Sequence, residues 1–357
     1  MSNLTTQAHP EADASLRPVP WRRMAGVIWR QHRFALTGVG VLLGVVAAGV
    51  WIAGTTLHHS YANAVACGTS SSPACQEYVL AFFGSYGFLS NGIILQALPA
   101  LIGAFIGAPL LAREMETGTF RYAWTQGFGR WRWALAKLVT LAVAVTVPAY
   151  LFSLVLSWYY QPYLAADNQT LGLIEYSPFF PGLFDLRGVA FAAWTLAAFA
   201  IAALAGMLVR RVVPAIVATL AVYAGLAFAS AGVLREHYLT PLVTSALNVP
   251  PSAWVLGQWW TKGGAALSSA TMYNVINSAW AAVNPPPPGA GAAGGAGKSA
   301  DYLAVLRYLT RHGYTQWTRY QPDSRFWPLQ WVEGGWLLVL SVLLLAATVW
   351  LVRRRAA

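Results

Sequence analysis

The residues best suited to recognition lie in one short polar stretch, residues 113–137, between two long apolar segments. This stretch holds five basic residues and two acids, whereas residues 78–112 and 138–166 contain no Asp, Glu, Lys or Arg. It offers charges of both signs beside large aromatic rings, but no nucleophile paired with a base. We therefore expect a contact surface here, and we expect no catalytic residue and no metal site in the chain.

The spacing of the aromatic residues predicts that part of this stretch is helical. Four of them would share one helical stripe at i, i+4, i+8 and i+11: Phe120, Trp124, Phe128 and Trp131. Thr117 or Thr119 would cap this helix, and Glu114 and Glu116 would suit its positive end. Two interpretations follow from the pattern, namely a helix bound to anionic lipid through its arginines or a helix that docks into another protein.

The same stretch resembles the cytoplasmic loop of ABC-2-type transporter permeases, most of all the single-domain permeases of actinobacteria. Shorter similarities occur at residues 29–33, 320–322 and 325–327. The residues that carry the main resemblance are Arg113, Glu114, Glu116, Gly118, Thr119, Arg121, Trp124, Thr125, Gln126, Arg130, Trp133 and Lys137. In that family this loop carries the coupling helix, which contacts a separate ATP-hydrolysing subunit, and this favours the docking interpretation.

The resemblance implies a docking site for an ABC ATPase on this chain. It would consist of Glu114, Glu116, Gly118, Thr119, Phe120, Arg121, Trp124, Gln126 and Arg130. Within this set Glu114, Glu116 and Arg121 would make the charged contacts, and Phe120 and Trp124 would form a hydrophobic plug. ATP and Mg²⁺ would be bound by the partner ATPase, and this chain would bind no cofactor.

A second motif imitates a nucleotide site. Residues 294–299, GGAGKS, resemble the end of a phosphate-binding P-loop. The motif requires its first glycine at position 292, which is Ala292, and it requires a preceding strand, where this chain has four consecutive prolines. We therefore predict that these residues bind no nucleotide.

Polar and small residues in the predicted second span suggest how it packs. Asn91 and Gln96 lie within this apolar stretch, so they either form hydrogen bonds between helices or line a translocation path. Gly103, Gly107 and Ala108 offer a surface for close contact with another helix.

Cys67 and Cys75 are the chain's two cysteines, and the segment around them, residues 58–77, contains no Lys or Arg. The lack of basic residues suits the outside of the cell, where the two cysteines either form a disulfide or remain unpaired thiols. His58 and His59 have no acid or cysteine at metal-ligand spacing nearby, so we expect them to be interfacial polar residues.

The composition is that of a membrane protein. The chain has 357 residues, of which 57% are hydrophobic and 10% charged, and its mean hydropathy is +0.50. Soluble domains carry about 25% charged residues. The net charge of +11 arises mainly at positions that flank apolar segments, where basic residues orient the spans and contact anionic lipid. We expect membrane lipid, and no nucleic acid, among the partners.

The apolar segments predict an all-α polytopic membrane protein with six transmembrane helices. An N-terminal amphipathic helix, residues 21–33, is predicted to lie on the inner membrane surface and then turn into the first span. A cleaved signal peptide is the alternative for that span, but its apolar run is too long for one. The predicted spans are 34–57, 88–112, 133–158, 188–209, 212–234 and 334–352.

The distribution of basic residues predicts the orientation. The amphipathic segment, the 113–137 loop, the Arg210-Arg211 turn and the C-terminal arginines all fall on one side of the membrane. Because short cytoplasmic loops are enriched in Lys and Arg, both termini are predicted to be cytoplasmic in a multi-pass protein of the plasma membrane.

The chain divides into four predicted regions. Residues 1–33 form a tail and the amphipathic helix, 34–234 the first five spans, 235–332 a large extracytoplasmic segment, and 333–357 the sixth span with a basic tail. Within the third region, residues 301–312 are predicted to form a helix that buries Tyr302, Leu306 and Leu309 and stops at Gly313. The Pro, Gly and Ala composition of residues 285–297 predicts a disordered insert.

These features favour the permease subunit of an ABC exporter, driven by a separate ATPase and paired with a second permease as a homodimer or heterodimer. No Asp, Glu, Lys or Arg lies well inside a predicted span, which argues against an ion-coupled carrier. Two alternatives remain. One is an ATP-independent carrier or channel, and the other is a membrane-anchored sensor or assembly protein that uses residues 235–332.

Overall fold

A computed structural model describes residues 20–67, 72–84, 92, 94–118, 130–165, 177–247, 249–250, 252–283 and 302–354. Within these ranges six helices are long and apolar enough to cross a membrane, which confirms the predicted polytopic helical fold. The helices in chain order are α1 Trp21–Cys67, α2 Pro73–Gly84, α3 Ala97–Thr117, α4 Arg130–Ala165, α5 Pro181–Phe184, α6 Gly188–Val209, α7 Val212–Ala229, α8 Ser269–Val283, α9 Tyr302–Arg311 and α10 Phe326–Arg354. The six spanning helices are α1, α3, α4, α6, α7 and α10.

Helix α1 differs from the prediction because it is continuous over 47 residues. The expected turn between an interfacial helix and the first span is not present. The segment contains no proline, and Met24 and Ile28 continue the buried stripe formed further along by Leu36, Leu43 and Val50. An uninterrupted helix of this length extends about 70 Å, well beyond the roughly 30 Å hydrocarbon core.

Helix α3 is displaced along the sequence from the predicted second span. It begins at Ala97 instead of near residue 88, and it continues past Ala112 to Thr117. Gly118 then ends it in the left-handed conformation, with φ of 71°, which glycine adopts without steric cost. The polar residues from Arg113 to Thr117 are therefore the last turns of a spanning helix.

Helix α6 forms the centre of the bundle. Helix α3 packs against it through glycines that face alanines of α6. A Cβ on Gly103 would lie 2.4 Å from the Cβ of Ala198, and a Cβ on Gly107 would lie 2.7 Å from the Cβ of Ala202. This confirms the predicted role of the two glycines in close helix packing. At its far end α6 reverses into α7 through Arg210, at φ 60°, which matches the predicted tight turn.

The segment between α7 and α10 contains a small mixed domain that the sequence pattern did not reveal. Its strands are β1 Leu242–Thr244, β2 Trp254–Lys262, β3 Ala265–Ala266 and β4 Tyr314–Gln321, paired antiparallel in the order β1-β4-β2-β3. Helix α9 confirms the prediction for residues 301–312 and buries Leu306 and Leu309, whereas Tyr302 is half exposed. The predicted insert at 285–297 and the P-loop-like residues lie outside the described residues.

The bundle has two ends that differ in character. One holds the start of α1, the α3–α4 connection, the Arg210-Arg211 turn and the end of α10, and we call it the basic end. The other holds the end of α1, the start of α6, the end of α7 and the mixed domain, and we call it the sheet end. Each candidate site described below lies at one of these two ends.

Candidate functional site

At the basic end, an ion pair joins the two spans that flank residues 119–129. Lys137 of α4 donates from Nζ to Glu114 Oε1 of α3 over 2.5 Å, and also to the Leu110 carbonyl oxygen over 3.3 Å. The Lys137 side chain is only 3% exposed. A cation at the carboxyl end of a helix compensates the partial negative charge of its unpaired carbonyls. Lys137 therefore holds the end of α3 against α4.

This geometry corrects the predicted start of the coupling helix. Glu114 and Glu116 lie in the last turns of α3, at the negative end of that helix, and not at the positive end of a separate loop helix. Thr117 is likewise the last residue of α3, and its hydroxyl donates to the Arg113 carbonyl oxygen over 2.8 Å. The helix continues through Pro109 and ends only at Gly118.

The residues predicted to dock an ATPase fall into three groups. Glu114 is partly buried and engaged with Lys137, whereas Glu116 is exposed beside Gly118 at the tip of α3. Arg130 is the first residue of α4. The remaining predicted docking residues lie outside the described residues: Thr119, Phe120, Arg121, Trp124 and Gln126.

The start of α1 lies beside the start of α4 at the same end. The guanidinium carbon of Arg132 is 5.6 Å from the centre of the Trp21 ring. Such a cation–π contact contributes of the order of 0.5–1 kcal/mol when exposed. It places the first residue of α1 next to the first turn of α4.

At the sheet end, three charged residues form a buried cluster that the sequence analysis missed. Arg235 donates from Nε to Glu333 Oε2 over 3.0 Å and from Nη2 to Glu333 Oε1 over 2.9 Å, and Nη2 also donates to Asp185 Oδ1. Trp194 Nε1 donates to Glu333 Oε1 over 2.9 Å. Arg235 and Glu333 are 1% and 0% exposed, so they form a desolvated ion pair between the helical turn that follows α7 and the first turns of α10.

The charges of this cluster do not balance when all three groups are ionised. Two carboxylates, Asp185 and Glu333, face one guanidinium, that of Arg235. The pKa of Asp185 is raised from its ordinary value to about 7, mainly by burial; Arg235 lowers it, and the Glu333 charge raises it. A proton on Asp185 makes the cluster neutral, which low-dielectric surroundings favour.

Gln96, the candidate path residue, lies next to this cluster. It directly precedes α3 and lines a small cavity of about 50 Å³ together with Asp185, Trp194 and Tyr223. The cavity lies between α3, α6 and α7. Asn91, the other candidate path residue, lies outside the described residues.

Hydrogen bonds between elements also hold the sheet end together. The buried Gln330 side chain of α10 donates to the Phe184 carbonyl oxygen over 2.7 Å and accepts from the Ala190 amide over 3.0 Å. Ser153 of α4 donates to the Gly188 carbonyl oxygen over 2.9 Å. Together with the charged cluster, these bonds fix the start of α6 between α4 and α10.

A disulfide joins Cys67 and Cys75, linking the end of α1 to α2. His58 stacks on Trp158 of α4 with ring centres 4.5 Å apart, and a His58 ring nitrogen lies 3.0 Å from the Trp158 carbonyl oxygen. In the part of the chain that the structure describes, no group of three His, Cys, Asp or Glu side chains is arranged to hold a metal ion.

A family model described as ABC-2 membrane transporter related matches residues 40–235, from within α1 to Arg235 in the helical segment that follows α7. No curated protein and no solved structure matches the chain.

Proposed function

Because the chain belongs to the ABC-2 membrane transporter related family, we propose that it is the permease subunit of an exporter driven by a separate ATPase docked at the α3–α4 connection. The matched region covers more than half of the chain and overlaps five of the six candidate spans. The permease assignment follows from the family, whereas the direction of transport and the docking site are our proposal.

The observation that carries this proposal is the ion pair between Glu114 and Lys137. It joins the two spans on either side of the loop that would receive the ATPase. A force applied to that loop would therefore move α3 and α4 together at the basic end. The backbone-to-backbone contact of α3 with α6 at Gly103 and Gly107 would then carry this displacement towards the sheet end.

In this proposal two permease chains, identical or different, pack side by side above a pair of ATPases. ATP and Mg²⁺ bind in the ATPases, whose closure on ATP pushes the coupling segment and opens the path to the outside. The basic end faces the cytoplasm. The disulfide near the sheet end supports this orientation, because disulfides persist outside the reducing cytoplasm.

Glu116 provides the first test, because it is exposed and its side chain makes no ion pair within the described residues. We expect Glu116→Ala to insert and melt like the wild type but to lose most of the ATPase stimulation, about ten-fold or more, because one charged contact contributes on the order of 1.5–3 kcal/mol. The complex is first purified in mild detergent from the native host, and the ATP-binding subunit that co-purifies is identified. ATP hydrolysis by this complex is then measured in nanodiscs.

Glu77→Ala is the matched control, since Glu77 is an exposed acid on α2 at the opposite end of the bundle. It should leave the stimulation unchanged. Normal stimulation in Glu116→Ala would refute docking through Glu116.

The charged cluster gives the alternative of an ATP-independent carrier a specific basis. Glu333 directly precedes the predicted sixth span, and in the structure it is a buried acid in the first part of α10. Buried acids are used as relay groups by ion-coupled carriers. Substrate flux into liposomes that contain this chain alone, without nucleotide, would favour the carrier and contradict the ATPase-driven mechanism.

A further inference from the structure

An open cleft of about 470 Å³ lies at the sheet end of the bundle, between the last turns of α4 and the residue that precedes α6. Its lining combines an apolar wall with polar groups: Ser157, Trp158, Gln161, Leu164, Ala165 and Arg187. Because α4 and α6 are spanning helices and this is where they end, the cleft lies at the level of a membrane–water interface.

Arg187 gives the cleft an uncompensated positive charge. Its Nε and Nη1 atoms are buried and have no hydrogen-bond partner within the described residues. Burial lowers the pKa of Arg187 to about 10, so the guanidinium remains protonated at neutral pH. The guanidinium carbon of Arg187 lies over the Phe326 ring, 4.9 Å from its centre.

Among the described residues, the carboxylates of Asp185 and Glu333 do not pair with Arg187. Both Asp185 and Glu333 are paired with Arg235, and Arg187 forms no ion pair in the part of the chain described. Burying donors of a charged group without partners costs several kcal/mol unless a counter-charge is bound. The Arg187 charge at the wall of the cleft therefore favours an anion there, bound through Nη2, because Nε and Nη1 are buried.

The shape of the donor group selects the kind of anion. The two N–H donors of Nη2 form charge-assisted hydrogen bonds with the oxygens of a phosphate or carboxylate. Gln161 adds an exposed amide at the rim, while Trp158, Leu164 and Ala165 form an apolar side. Trp158 is itself held in place by stacking on Trp51, with ring centres 4.4 Å apart. A phosphate attached to an apolar chain satisfies both sides of the cleft.

From these observations we propose that the Arg187 cleft is a binding site for the phosphate headgroup of an anionic membrane lipid in the leaflet at the sheet end. The guanidinium binds the phosphate oxygens, and the glycerol and the first acyl carbons lie against Trp158 and Leu164. The proposal depends on the membrane fold and on the cleft, and not on what drives transport.

The test uses the full-length chain in detergent, titrated with phosphatidylglycerol and followed by native mass spectrometry. We expect Arg187→Gln to raise the lipid concentration needed for occupancy of one site about ten-fold or more, as expected for losing a charge-assisted hydrogen-bonded pair. Arg307→Gln is the matched control, because Arg307 is exposed in the mixed domain, and it should bind lipid like the wild type.

A second variant keeps the charge and fills the cleft. Ala165 is exposed at the cleft wall, so Ala165→Trp should also remove one bound phosphatidylglycerol while leaving Arg187 in place. This variant tests the site even where Arg187→Gln fails to fold. Unchanged lipid binding in Ala165→Trp, or in a folded Arg187→Gln, would overturn the proposal.

Two competitors distinguish the source of the anion. Millimolar inorganic phosphate should leave phosphatidylglycerol bound, because it cannot use the apolar side of the cleft. Equal displacement by inorganic phosphate would instead assign the site to a free anion and overturn the lipid assignment. Phosphatidylcholine should bind more weakly than phosphatidylglycerol, since its choline cation would lie near Arg187, and equal binding of both lipids would count against an anionic headgroup.

Discussion

At the scale of single residues, the cluster of Asp185, Arg235 and Glu333 joins three separate parts of the chain in a site nearly closed to water. Breaking a buried ion pair by removing one partner costs about 3–5 kcal/mol, because the remaining charge stays buried. The cluster therefore fixes the helical turn that follows α7, and the first part of α10, against the residues before α6.

The pKa of Asp185 predicts how stability depends on pH. Its pKa is about 7 in the folded chain against an ordinary value of 3.8, so between these pH values the folded state binds more protons than the unfolded state. Stability then falls as pH rises from about 4 to about 7, by at most about 1.4 kcal/mol per pH unit for one proton, and levels off above that. We expect the melting temperature in detergent to decrease by a few degrees between pH 5 and pH 8.

The variant Asp185→Asn should remove this dependence, because the amide carries no titrating proton. Glu236→Gln serves as the control, as Glu236 is a neighbouring acid outside the cluster. A slope that stays the same in Asp185→Asn would show that another group is responsible.

These three residues were missed in the sequence for a definable reason. Arg235 and Glu333 each border a long apolar run, and a charge in that position is typical of the end of a span. Only the folded chain shows that residues nearly a hundred positions apart meet and neutralise each other. Glu114 and Lys137, by contrast, belong to a local motif that is visible in the sequence. The contact between them was not predicted.

At the scale of elements, the contact between α3 and α6 depends on residues without side chains that extend beyond Cβ. The two helices approach so closely that Gly206 of α6 would place a Cβ 2.6 Å from the Ala108 carbonyl oxygen. In a bilayer, where apolar association has little driving force, such close packing supplies much of the attraction between helices.

A single methyl group at this contact should be costly. We expect Gly103→Ala to lower stability by about 1–3 kcal/mol, because the new Cβ would meet the backbone of Ala198 at 2.6 Å and the helices would have to separate. Gly40→Ala on α1 is the matched control, since a Cβ there meets nothing within 4 Å. Thermal melting in detergent measures both variants, and equal melting temperatures would contradict the close contact.

The elements were predictable to different degrees. The six spans follow from long apolar runs, which have few alternatives in a membrane, and only their ends were misplaced. The small sheet was not predicted, because several buried positions of β4 are polar, namely Gln316, Thr318 and Gln321. Without an alternation of apolar and polar residues, this strand has no periodic signal.

At the scale of the whole molecule, the two ends carry different kinds of surface. The basic end has exposed arginines at the α6–α7 turn and at the end of α10, and it has the α3–α4 connection. The sheet end has the disulfide, the buried charged cluster and the mixed domain. Docking of an ATPase at Glu116 requires that the basic end face the cytoplasm, so the orientation decides whether the proposed mechanism can operate.

The cysteine content of the chain makes this orientation directly measurable. Both of its cysteines are joined in the disulfide, so one introduced cysteine provides the reactive thiol. Asn277→Cys lies on exposed α8 in the mixed domain, and Arg211→Cys lies on the exposed α6–α7 turn. In intact cells we expect a membrane-impermeant maleimide to label the Asn277→Cys variant, and to label the Arg211→Cys variant only after permeabilisation. The reverse pattern would place the α3–α4 connection outside the cell, away from ATP, and would exclude an ATPase at that site.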